Sequence, residues 1–215
     1  MSLKEINSRF LFKYIIIGDS FVGKSKILLR YVNNTYNENF VITIGAEFGA
    51  KTINIDDQEI RIQIWDTAGM ENFKSITRSY YKNSLCAIIV YDITNKDSFK
   101  NVLKWIEDCK NFSPKEILFV LIGNKCDLSE KREVNEEEGK KIAKEYNMIF
   151  FETSAKDNIN ISELFLKSAQ IILENVKNKV YDDVEELNIY YKGNKLNTNN
   201  NNNDYWFKTY CCSNS

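Results

Sequence analysis

Histidine is absent from this 215-residue chain. That removes His-based catalytic triads, His-ligated metal sites and a histidine pH switch together. Long apolar runs are absent too. The longest, Leu85 to Tyr91 and Ile117 to Ile122, fall far short of the ~20 residues a membrane-spanning helix needs. The first residues, Met1-Ser-Leu-Lys-Glu5, hold no apolar signal-peptide core, so secretion is not expected. An excess of charge is also missing. Lys plus Arg is 29 against 30 for Asp plus Glu, a net charge of -1, which gives no electrostatic case for nucleic acid. The five cysteines, Cys86, Cys109, Cys126, Cys211 and Cys212, are odd in number and lack paired spacing, which argues against a disulfide framework. Cys86 and Cys126 lie in or beside apolar runs and read as small buried hydrophobes.

What is present is ordinary for a globular protein: 43% hydrophobic and 27% charged residues. At roughly 150 residues per domain the length allows one domain and a sizeable remainder. Apolar periodicity alternates between strand and helix from about Leu11 to Val176. Phe10 to Ile17 reads as a buried strand, followed by a helix over 24–33. Glu47 to Ile55 and Glu59 to Trp65 alternate around Asp56-Asp57-Gln58, a hairpin signal. Leu85 to Tyr91 and Ile117 to Ile122 are strands buried on both faces. Helices are expected over 97–109, 135–146 and 161–176, with a short strand over 148–151. This order predicts an α/β fold, a mostly parallel sheet with one antiparallel edge strand and helices on both faces. The expected organisation is an extension over 1–9, a globular part over 10–176 and a disordered tail over 177–215. The tail is acidic from Tyr181 to Leu187 and nearly all Asn from Asn197 to Asn203.

Four short motifs carry the chemistry. Gly18-Asp-Ser-Phe-Val-Gly23-Lys24-Ser25 fits G-x-x-x-x-G-K-[ST] and sits between a strand and a helix, the context a phosphate loop requires. Its backbone N–H groups and the helix N-terminus suit polyphosphate. Lys24 would reach the β- and γ-phosphates and the Ser25 hydroxyl would hold Mg²⁺. Asp66-Thr67-Ala68-Gly69 ends the next strand. Asp66 can hold Mg²⁺, and Gly69 lets a backbone N–H approach the γ-phosphate. Asn124-Lys125-Cys126-Asp127 ends a later strand. The acceptor-only Asp127 carboxylate matches the two adjacent donors of guanine, Asn124 can reach the base edge or the loops, and the Lys125 stem can cover the base. Ser154-Ala155-Lys156 would meet guanine O6 through backbone N–H groups. All four fall at the C-terminal ends of strands, where open α/β sheets bind ligands.

With these motifs the chain resembles the Ras-like small GTPases, and within them the Rab family. The resemblance is carried by Thr43-Ile-Gly-Ala-Glu-Phe48, Trp65-Asp-Thr-Ala-Gly69, Ile76-Thr-Arg-Ser-Tyr-Tyr81 and Glu152-Thr-Ser-Ala-Lys156. Phe12-Lys-Tyr-Ile-Ile-Ile-Gly18, Glu47-Phe-Gly-Ala50 and Arg132-Glu-Val134 resemble the Rab-two group, with the Rab-four and Rab-fourteen groups as runners-up. The resemblance implies the six-stranded P-loop fold of small G proteins and a monomeric switch cycling between GTP and GDP with Mg²⁺. It implies that Ser20, Phe21, Val22, Gly23, Lys24, Ser25 and Lys26 wrap the nucleotide phosphates. Thr43 would bind Mg²⁺ with Ser25 and Asp66 and sense the γ-phosphate, and Tyr36 would lie against guanine. Segments 36–48 and 66–80 become switches, read by effectors through Ile44, Phe48, Trp65 and Tyr80. The implied partners are effectors, an exchange factor, a GTPase-activating protein, a prenylation escort protein and a GDP-dissociation inhibitor.

Three positions depart from the family. Met70 stands where Gln usually orients the attacking water, and a thioether cannot donate to that water, so slow intrinsic hydrolysis is expected. Phe21 replaces a usually small residue. Phe adopts positive φ only at a cost, so an ordinary backbone is expected there, with the ring near the ribose or α-phosphate. Lys26 replaces Cys or a small residue. The ending Cys211-Cys212-Ser-Asn-Ser215 resembles the Rab double-cysteine site for two geranylgeranyl groups. Two chains are what stable anchoring needs, so attachment to the cytoplasmic face of an intracellular membrane is expected, with cycling through the cytosol. Golgi or ER–Golgi membranes fit the Rab-two likeness and endosomes are the alternative. Two other readings are a constitutively GTP-bound membrane scaffold, motivated by Met70, and a P-loop ATPase or nucleotide kinase, opposed by Asp127 and Ser154 to Lys156.

Overall fold

The computed structural model describes residues 9–38, 43, 46–67 and 80–181. Six strands form one sheet: β1 (Arg9–Ile17), β2 (Ala46–Ile55), β3 (Gln58–Thr67), β4 (Cys86–Asp92), β5 (Leu118–Asn124) and β6 (Ile149–Thr153). The order across the sheet is β2-β3-β1-β4-β5-β6. β1 runs parallel to β3 and β4, and β4, β5 and β6 continue in parallel. Only β2, paired with β3, is antiparallel. The hairpin between them turns at Asp56 and Asp57, both with positive φ (49° and 60°), as a tight primed turn requires. The expected architecture is therefore the observed one.

The sheet is buried on both faces, and its strands show it residue by residue. In β1, Phe12, Tyr14 and Ile16 enter one core while Ile15 and Ile17 enter the other. In β4, Cys86, Ile88 and Val90 alternate with Ala87, Ile89 and Tyr91 in the same way. This two-fold period is the pleat, and an unbroken apolar run is what two covered faces demand. The first core is closed by α1 (Lys24–Asn33) and by the C-terminal helix α5 (Ile161–Lys177). Tyr31 of α1 stacks on Phe165 of α5 with ring centroids 3.8 Å apart. The second core is closed by α3 (Val102–Phe112) and α4 (Glu136–Glu145). Asn135 and Glu138 form a capping box at the start of α4, satisfying donors that a helix N-terminus leaves open.

Three expectations change. The single helix expected over 97–109 is two, α2 (Lys96–Lys100) and α3, separated at Asn101. α2 starts on the Asn95 side chain, which accepts from the Asp97 and Ser98 N–H groups. Second, the chain does not leave the fold at Val176. α5 runs to Lys177, and Tyr181 turns back into the first core with 3% exposure. An acidic composition hid a buried aromatic inside it. Third, Cys126 opens a 3-10 turn (Cys126–Lys131) beyond the end of β5 and is only half-buried, whereas Cys86 and Cys109 are fully buried. Among the described residues no helix is long and apolar enough to cross a membrane.

Candidate nucleotide site

The phosphate loop leaves β1 at Ile17 and enters α1 at Lys24. Two of its glycines are required by contact. A Cβ on Gly18 would lie 2.2 Å from the Val90 carbonyl oxygen, and one on Gly23 would lie 2.4 Å from Asn124 Nδ2. Phe21 has φ 68° and is 64% exposed, so the expectation of an ordinary backbone there is wrong. The loop path imposes a left-handed residue between two glycines, and the side chain escapes by pointing outward. A non-glycine residue in that region costs about 1–2 kcal/mol. Val22, by contrast, is buried in the first core, so only its backbone is left for a ligand.

Lys24 is 6% exposed, and its ammonium donates to the carbonyls of Gly18 (3.0 Å) and Asp19 (2.7 Å). Burial pushes its pKa down to about 8, against the opposing pull of Asp66 and Asp19. A desolvated cation whose hydrogen bonds go to two neutral carbonyls is poised for an anion. Beside it, Ser25 Oγ lies 2.9 Å from Thr43 Oγ1 and donates to Asp66 Oδ2. Asp66 is fully buried, and its second oxygen, Oδ1, has no hydrogen-bond partner among the described residues. Burial raises this carboxyl to about 6, with the Ser25 bond and Lys24 opposing. One buried carboxylate with an unmatched oxygen and two hydroxyls form a hard oxygen set that fits Mg²⁺, with phosphate oxygens and water completing its shell. Among the described residues no group of three His, Cys, Asp or Glu is placed so that it could hold a metal ion by itself.

The Asn124–Asp127 and Ser154–Lys156 segments lie side by side. Asp127 Oδ1 accepts from Ser154 Oγ at 2.6 Å, and Ser154 Oγ also accepts from the Asp157 N–H at 2.9 Å. Asp127 is thereby held against Ser154-Ala155-Lys156. Asn124 turns to the loops: Nδ2 donates to the Val22 carbonyl at 2.8 Å, and Oδ1 accepts from Thr153 Oγ1 at 3.1 Å. It ties the phosphate loop to β6. Lys125 adopts φ 67° and pairs its ammonium with Asp92 at 2.6 Å. Tyr36 has Lys26 and Arg30 cations 5.9 and 5.8 Å from its ring centroid. Lys26 also donates to the Asn37 carbonyl, and Lys156 pairs with Glu38 at 3.2 Å.

Arg30 was not visible as a site residue. Its Nε donates to the Ala155 carbonyl (2.8 Å) and its Nη2 to the Lys156 carbonyl (2.9 Å), which aligns the base-side loop against α1. Only its place one turn beyond Lys26, on the helix that opens at the phosphate loop, hinted at this. Phe48, Trp65 and Tyr80 form one aromatic row, with centroids 5.0 Å and 5.1 Å apart along it. Ile44, Gly69, Met70, Cys211 and Cys212 lie outside the described residues.

A phosphate loop, a Mg²⁺ set and an acceptor for guanine at one sheet edge define a guanine-nucleotide-binding protein of the P-loop class. A sequence model of the Ras family matches residues 13–174, and the chain belongs to that family. It is 49% identical over 174 residues to the Ras-related protein Rab-2B of Dictyostelium discoideum, which covers 81% of this chain and 86% of that one. The chain is a Rab-type small GTPase, similar to the Rab-two group. The ATPase and nucleotide-kinase readings fall with that membership.

Proposed function

We propose that this GTPase binds GTP and GDP with Mg²⁺ at the cluster above and acts as a slowly hydrolysing switch in traffic between the ER and the Golgi. The observation that carries the site is the meeting of Ser25, Thr43 and Asp66 around an unmatched buried carboxylate oxygen. Mg²⁺ held there would neutralise charge on the β- and γ-phosphates. Lys24 supplies a desolvated cation on the same side, and the loop N–H groups fix the phosphates. Thr43 links the first switch to Ser25, so loss of the γ-phosphate would free that link. Asp127, positioned by Ser154, selects guanine.

Met70 in place of Gln supports slow intrinsic turnover, since no side chain there orients water by donating to it. An activating protein that brings its own Arg and Gln would still stimulate it. Single-turnover hydrolysis tests this: Met70→Gln should be faster than the natural chain, and equal rates would sink the proposal. The same residue favours a second reading, a GTP-bound scaffold with little turnover. Nucleotide extracted from cells separates the two, as a working switch carries a substantial share of GDP. Cys211 and Cys212 are the sites at which two geranylgeranyl groups would anchor the chain. Effectors would read the Phe48–Trp65–Tyr80 row, while an exchange factor, an escort protein and a GDP-dissociation inhibitor would serve the cycle. Tagged chain with Cys211→Ser and Cys212→Ser should become cytosolic. An endosomal rather than Golgi pattern for the natural chain would overturn the ER–Golgi assignment.

A further inference from the structure

The phosphate loop holds three positive φ angles within six residues: 141° at Gly18, 68° at Phe21 and 98° at Gly23. Glycine adopts these freely and phenylalanine does not. Such a conformation persists only where its surroundings over-determine it. Three contacts from outside the loop's own backbone do so here. Lys24 bonds the Gly18 and Asp19 carbonyls, and Asn124 bonds the Val22 carbonyl. The third engages Asp19. Trp105 Nε1 donates to Asp19 Oδ1 at 2.8 Å, and Asn101 Nδ2 donates to Asp19 Oδ2 at 2.7 Å. Both oxygens of this carboxylate are thus taken by one helical arm. Asn101 stands at the break between α2 and α3, and Trp105 lies one turn further on, packed against the second core. Lys24 is the residue that phosphate would recruit. Once its ammonium turns to phosphate, the Asp19 clamp and Asn124 remain to hold the two ends of the loop.

We propose that Trp105 and Asn101 are positioning residues that clamp the phosphate loop through Asp19, offsetting the strain of Phe21 and lengthening the residence of bound nucleotide. The inference rests on nucleotide occupying this loop. The indole bond is the stronger half, because it is partly shielded from water while the Asn101 bond is exposed. Trp105→Phe keeps the ring and removes the donor. The clamp and Phe21 act on the same loop, so their effects are coupled.

The test loads the full chain with GDP carrying a fluorescent ribose label and follows its release into excess GDP. Trp105→Phe should release GDP about tenfold faster, the scale of one hydrogen bond to a charged group. Asn101→Ala should act in the same direction by about threefold, and it stands at an exposed position if Trp105→Phe does not fold. In a Phe21→Gly background the Trp105→Phe effect should shrink to less than about threefold, a coupling that general loss of helix packing would not produce. An unchanged release rate for both variants, or the same acceleration in both backgrounds, overturns the clamp. Lys24→Ala serves as the control. If it retains GDP as the natural chain does, the nucleotide sits elsewhere, and both the site reading and the clamp fall. If it loses GDP while Trp105→Phe and Asn101→Ala do not, the clamp alone falls.

Discussion

The Ser25 hydroxyl donates to the Asp66 carboxylate, joining the first turn of α1 to the end of β3 across 41 residues of sequence. Thr43 touches the same hydroxyl, so three separate segments meet at one oxygen. Replacing Asp66 by Asn removes the charge that a divalent cation needs while keeping the shape. GDP release should then be accelerated about 10- to 100-fold in saturating Mg²⁺, the usual scale for disturbing a metal site. A chelator, which speeds release from the natural chain, should add little in Asp66→Asn. Fluorescent GDP release with and without chelator checks both.

The Lys24 ammonium, lowered to about 8 by burial, sets a pH dependence. A bound polyphosphate raises that value, so binding takes up a proton once the free group begins to lose its own. Nucleotide affinity should be level below about pH 8 and fall above it, by up to about tenfold per unit. Asp66 acts in the opposite direction. Burial raises it to about 6, and a cation needs it ionised, so Mg²⁺ binding should weaken as pH falls through about 6. Titration calorimetry between pH 5 and 9.5 reads both limbs, and a flat profile above pH 8 would exclude contact between Lys24 and phosphate.

Asp127 is fixed by the Ser154 hydroxyl, which leaves its carboxylate facing a base with acceptors only. Asp127→Asn puts a donor among them. A well-placed bidentate pair is worth about 1–3 kcal/mol of base discrimination, so guanine-nucleotide affinity should fall about 10- to 100-fold. Competition between GTP and ATP on the variant measures the loss of preference.

Arg132 holds Glu152 through two bonds, at 2.5 and 2.8 Å, and Asn160 Nδ2 caps the Glu152 carbonyl at 2.8 Å. Glu152 stands two residues before Ser154, so this pair braces the base-side loop. Both side chains are largely buried, and removing one leaves the other charged and poorly solvated. Arg132→Ala should destabilise the fold by about 2–3 kcal/mol in urea unfolding. Arg132→Lys should recover less than half of that, because an ammonium cannot reproduce the planar fork.

The strands, the hairpin and the four motifs were legible because each is a local pattern. A two-residue period, an apolar run, or a G-x-x-x-x-G-K-S string needs only its neighbours in the chain to be read. The same limit explains the misses. Asn101 looked like one more helical residue, although its amide is spent on Asp19, 82 positions away. Phe21 looked incompatible with positive φ, because propensity is a local preference and the loop's path is imposed by Val90 and Asn124 packed against its glycines. Tyr181 looked like part of an acidic tail, yet it is buried in the same core as Tyr14, Tyr31 and Phe165, which come from three other elements.

The amino-acid order alone therefore determined which motifs this protein carries: a phosphate-loop string, a carboxylate suited to a metal and an acceptor suited to guanine, each at the end of a strand. Only the tertiary structure decided how those parts are held. Asn124 serves the loops, Arg30 aligns the base-side segment, and Trp105 fixes Asp19, since bonds between residues far apart in sequence leave no periodic trace. They exist only once hydrophobic burial has brought the strand ends to a common edge.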